Sequence, residues 1–175
     1  GQGNGTSQAF LREAQLRTML SVENTGMAVT LDIGSTITNH PPEKLLIGKR
    51  LAYWALAKNY GFNGLPHSGP VYESMKVKNN KVYVNFKFAK NGVTSYGKPL
   101  SGFEIAGEDK IFYSADALID PHWSAGWENR SVLTLSNKNV PNPLYIRYGW
   151  KNYIEGALYN VEGLPASSFR SYDFD

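Results

Sequence analysis

The stretch DIGSTITNHPPEKLLIGKRLAYWALAKNYG, residues 32–61, decides how the chain is read, because one histidine, His40, stands in it between a predicted strand and a predicted helix. Pro41 and Pro42 suit a first helical turn, Glu43 favours the positive end of the helix dipole, and Gly61 suits a C-terminal cap. Just upstream, Met27 to Ile33 is apolar on both parities and rich in β-branched residues, which predicts a strand covered on both faces in a parallel sheet. Further upstream, Ser7 is a candidate N-cap, and Phe10, Leu11, Ala14 and Leu20 recur at helical spacing. Helix, buried strand, loop and helix in that order indicate an α/β layered arrangement.

A histidine on a loop after the C-terminal end of a parallel strand lies where open α/β sheets place ligands and catalysis. The same residue also fits a purely local use, as the polar residue that precedes a proline-initiated helix. Serine-type hydrolysis needs a hydroxyl within reach of the imidazole, a group to orient the other ring nitrogen, and donors for the oxyanion. The nearby acid is Asp32, eight positions before His40, and residues 34–39 contain no carboxylate. Ser35 is too close in sequence to be a confident partner, and the chain has no G-x-S-x-G elbow. His40, His67 and His122 stand apart, without the short-spaced partners of a zinc site, so neither a metal nor a cofactor is expected.

From Phe62 the texture changes. GFNGLPHSGP (61–70) has linker composition, and YESMKVKNNKVYVNFKF (72–88) predicts a hairpin turning at Asn79-Asn80. Further strands are expected in GFEIAG (102–107), KIFYSA (110–115), SVLTLS (131–136) and LYIRYGW (144–150). The expected fold class is therefore α+β, with a short α/β part over 1–62 and an antiparallel, jelly-roll-like β-sandwich over 63–175.

The 175 residues carry 42% hydrophobic and 19% charged residues, ordinary globular proportions, with no run approaching the roughly 18 apolar residues of a membrane span. The net charge of +3 comes from scattered basic residues without a cluster, which argues against a nucleic-acid partner. Without cysteine the chain has neither disulfides nor thiolate metal sites, and the redox compartment stays open.

The segments LREAQLRTMLSVENTGMAVTLDIG (11–34), NHPPEKLLIGKRLAYWALAKNYG (39–61), PLYIRYGW (143–150) and ALYNVEGLPASSFRS (157–171) together resemble the C-terminal part of the sialate O-acetylesterases, which belong to the SGNH (GDSL-like) hydrolases. The resemblance implies an α/β/α catalytic domain with β-rich modules and removal of acetyl esters from sialic acid or related sugars. It places the family's histidine on His40 as general base, and the family's serine upstream of this chain. Where the family's loop commonly carries aspartates, this chain reads Ser35-Thr36-Ile37-Thr38-Asn39. Asp32, Gln15 and Arg12 are the candidate supporting residues. Trp123, Trp127, Tyr148 and Trp150 are candidates for stacking on sugar rings, with core packing as the alternative. The implied partners are an acetylated sugar and either the missing N-terminal segment or a second copy of the chain, and the implied location is extracytoplasmic: periplasmic, secreted or lysosomal. A reading from another class remains beside it, a non-catalytic carbohydrate-binding or structural β-module.

Overall fold

The computed structural model describes residues 5–38, 40–119 and 132–174. Among these residues two helices, α1 (Ser7–Ser21) and α2 (Lys44–Lys58), precede ten strands: β1 (Val71–Lys78), β2 (Lys81–Lys87), β3 (Val93–Thr94), β4 (Phe103–Ala106), β5 (Tyr113–Ser114), β6 (Asp116–Ile119), β7 (Leu133–Ser136), β8 (Tyr145–Tyr148), β9 (Tyr159–Asn160) and β10 (Phe169–Arg170). Strands β1-β2-β7-β6 form one four-stranded sheet, β10-β8-β4-β5 a second, and β3-β9 a short ribbon, all antiparallel. The class is α+β, as expected.

The predicted hairpin is present. Val77 pairs with Val82 and Lys78 with Lys81, and Asn79 and Asn80 hold φ of 51° and 60°. Two consecutive positive φ angles make the tight turn whose twist matches the strands it joins, and asparagine tolerates that region. Val82, Val84 and Phe86 of β2 and Leu133 and Leu135 of β7 meet Phe103, Ile105, Ile146, Tyr148 and Phe169 of the other sheet in one apolar core. Phe86 crosses between the sheets to Phe169, ring centroids 5.7 Å apart and edge-on. At 25 cal/mol per Å², each such side chain contributes roughly 1.5–3 kcal/mol by leaving water.

At the centre of that core, Tyr148 stacks on Phe103 at 4.4 Å, and its phenol oxygen accepts the Ala157 N–H at 3.1 Å. Burial pushes its pKa up to about 12, opposed by backbone hydrogen bonds from Ala157 and Leu158. A phenol that holds its proton more tightly folded than unfolded contributes stability that is complete below pH 10 and lost as pH rises from there through about 12. Ultraviolet titration of the native chain is therefore expected to show one tyrosine ionising last, near pH 12, and Tyr148→Phe should remove that step. The same variant leaves the Ala157 N–H without its acceptor, at a cost of about 1–3 kcal/mol.

Two expectations are corrected. Met27–Ile33 forms no strand, and no parallel sheet exists among the described residues. A strand needs a ladder partner, and here side chains and a loop satisfy the carbonyls instead: Trp54 Nε1 donates to Met27 O at 3.0 Å, Arg50 Nη1 to Val29 O, and the Gly156 N–H to Leu31 O at 3.0 Å. The double-sided apolar pattern reflects an extended segment between α2 and the β-sheet core, which Leu31 joins.

The first helix also presents a different face. Its N-cap is Thr6 rather than Ser7, and its buried line is Ala9, Glu13 and Leu16, while Phe10, Leu11, Ala14 and Leu20 are exposed. Glu13 is buried because Arg170 of β10 meets it bidentately, Nε to Oε1 at 2.9 Å and Nη2 to Oε2 at 3.0 Å. The second helix starts after both prolines, at Lys44, and its end is shaped as expected: Gly61, at φ 73°, lets the Phe62 N–H reach back to Leu56 O.

Candidate active site

Three segments meet around a cleft of about 680 Å³: α1 with Gln8, Leu11, Arg12 and Gln15, the histidine loop with Thr30, Leu31, Gly34, Ser35, Thr38 and Pro41, and the β-rich part with Asn152, Tyr153 and Ile154. His40 lies on this loop, exposed, its backbone N–H donating to Thr38 Oγ1 at 3.1 Å. Its imidazole hydrogen-bonds to no described residue. The turn before it is closed in the same way, Ile37 N–H to Ser35 Oγ at 3.2 Å. Such hydroxyl-to-backbone bonds hold a loop that has no sheet to hold it.

Asp32 gives both carboxylate oxygens to Arg50 of α2, at 2.8 and 2.6 Å, and makes no hydrogen bond to His40. Both side chains are nearly enclosed, 9% and 4% exposed, and Arg50 Nε has no partner among the described residues. The acid thus anchors the stem of the histidine loop to α2. This partner was not singled out in the sequence, where its one signal is that Arg50 shares a helix face with Trp54, four residues on.

Arg12 faces the β-rich part as well as the cleft. It donates to Ser168 Oγ at 2.9 Å and to the carbonyls of Gly149 (2.8 Å), Lys151 (2.6 Å) and Asn152 (3.3 Å). No carboxylate neutralises it among these contacts, and burial lowers its pKa, a shift partly opposed by Tyr148. Asn152 completes the junction, its Oδ1 accepting from Ser7 Oγ and the Gln8 N–H. Gln15 is exposed on the cleft wall beside Arg12. Of the stacking candidates, Tyr148 and Trp150 are buried, and Trp123 and Trp127 lie outside the described residues, as does Asn39. The contribution of residues 152–154 to the cleft was not foreseen, since nothing local in that stretch marks it.

The chain is similar to a carbohydrate acetylesterase. The likeness is to a solved enzyme of Xanthomonas citri, at 33% identity and a TM-score of 0.82. It covers 95% of this chain and 36% of the other, so this chain spans little more than a third of that protein's length. No family model and no curated protein matches the chain. Among the described residues, no group of three acidic or histidine side chains forms a metal site, and no helix is long and apolar enough to cross a membrane.

Proposed function

We propose that this chain is the His40-bearing part of a carbohydrate acetylesterase of the sialate O-acetylesterase kind, with residues 1–62 as the tail of an SGNH-like hydrolase domain and 63–175 as its β-rich module. The similarity to the Xanthomonas citri carbohydrate acetylesterase across 95% of the chain carries this reading. The exposed His40 beside an open cleft gives it a chemical centre.

The chemistry follows from the base. A serine hydroxyl from a segment outside residues 1–175 attacks the acetyl carbonyl while the His40 imidazole takes its proton. The imidazolium returns that proton to the departing sugar oxygen as the acyl C–O bond breaks. Water, deprotonated by the same imidazole, then cleaves the acetyl-serine, so the products are a sugar hydroxyl and acetate. Among the described residues no carboxylate hydrogen-bonds the imidazole, and Asp32 acts instead on the loop's placement.

The test is a chimera in which residues 1–175 replace the matching third of the Xanthomonas citri enzyme. It should hydrolyse acetylated sugars, and His40→Ala should lower kcat by roughly 10²–10⁴-fold. An active chimera indifferent to His40→Ala would sink the assignment, as would serine-dependent ester hydrolysis by the isolated chain. Sugar binding by a chimera that never turns over would favour the non-catalytic module instead.

A further inference from the structure

Tyr153 is the aromatic side chain of the cleft that faces the histidine loop. Its ring rests near Gly34, where a Cβ would lie 3.6 Å from Cε2. It is half-buried, and its phenol makes no hydrogen bond to a described residue. Nor does it join another ring among the described residues, whereas Trp150 meets Phe10, Tyr172 stacks on Phe174, and Tyr145 meets both of these edge-on. Its phenol and the exposed part of its ring are thus open to the cleft.

Its backbone, by contrast, is closely held. Arg12 binds the carbonyls of Gly149, Lys151 and Asn152, the Asn152 side chain caps the start of α1, and the Asn152 N–H donates to Gly5 O at 2.7 Å. A loop so fixed presents its next side chain at a set position, which is what a binding platform requires. An aromatic face takes the C–H face of a pyranose, and the amides of Gln8, Gln15 and Asn152 on the same walls match its hydroxyls.

We propose that Tyr153 is the sugar-stacking platform of the His40 cleft, so that the β-rich part supplies a specificity-determining residue for the acetylated pyranoside. This rests on the esterase reading of the cleft, and Arg12 is then a positioning residue for Tyr153.

Two arms test it. On the 175-residue chain itself, titration with N-acetylneuraminic acid should shift the Tyr153 ring resonances, and Tyr153→Ala should weaken binding about tenfold while Tyr153→Phe stays near the parent. Ring resonances that do not move, or a Tyr153→Ala chain that binds equally well, would overturn the platform. In the chimera, Tyr153→Ala should raise KM for an acetylated sialic acid about tenfold and leave kcat within about twofold, with p-nitrophenyl acetate, which has no sugar ring, hydrolysed at the parent kcat/KM. Equal loss on both esters marks a structural role and overturns the proposal. The esterase reading stands or falls separately, on His40→Ala with p-nitrophenyl acetate.

Discussion

Replacing Arg50 by methionine is expected to lower the stability of the chain by about 3–5 kcal/mol, because it strands the enclosed Asp32 carboxylate without its partner. Arg50 also supplies a donor to Val29 O, so the variant uncovers a carbonyl in a segment that has no strand to satisfy it. The paired variant Asp32→Leu/Arg50→Met removes both charges and should recover most of the loss, since the pair's main energetic weight is the penalty of leaving one member alone. Urea unfolding of the parent, both single variants and the double variant measures this, with unchanged m-values required for the comparison. Additive single losses would show that the bidentate pair is not the coupling element. Hydrogen exchange at residues 33–38 should accelerate in Arg50→Met, because the stem of the histidine loop is tethered at Asp32.

The elements on either side of that tether were partly legible in the sequence. His40 is on a loop before a helix, and its loop neighbours Thr38 and Pro41 line the cleft. The helix itself was legible, with Gly61 shaping the turn after it, although it starts at Lys44 and leaves both prolines outside its first turn. So was the hairpin, because two asparagines set its turn without help from the rest of the chain. Strands β4, β5, β7 and β8 fell within the expected segments for the same reason, local alternation.

What escaped depends on partners far along the chain. Strands β3, β9 and β10 are two residues long each, too short for any period, and exist because β3 and β9 pair across 64 intervening residues and β10 finds β8. The buried face of α1 runs through Glu13 because Arg170 stands opposite it, 157 positions away, and no apolar periodicity marks such a face. Met27–Ile33 carries the composition of a covered strand, but its coverage comes from α2 and the β-sheet core rather than from neighbouring strands. Tyr153 reaches the cleft only because Arg12 and Asn152 bring two distant segments together.

Gly69→Ala is expected to cost about 3 kcal/mol or more, at the upper end of what overpacking usually causes. An added Cβ would lie 1.9 Å from Pro165 O, 2.5 Å from Pro165 C and 2.9 Å from Leu164 O. All three atoms are backbone, so no rotamer change relieves the clash; the linker or the returning segment must move. That return is held by the buried Asn160, whose Nδ2 donates to Ser68 O and Phe88 O, both at 3.0 Å, while its Oδ1 accepts the Leu164 N–H at 2.8 Å. Displacing Pro165 therefore loads three hydrogen bonds inside one closed junction, and Phe169 of the core lies only four residues further on. For a chain of this length the loss corresponds to a Tm lower by roughly 6–12 °C. Gly48→Ala supplies the opposite case: it lies in α2, exposed, with nothing within 4 Å of the added Cβ, and should stabilise by about 0.5–1 kcal/mol through helix propensity alone. The same methyl group thus changes sign between two glycines because one meets solvent and the other meets a carbonyl. A Gly69→Ala chain as stable as the parent would mean that the linker and the return segment do not touch as described.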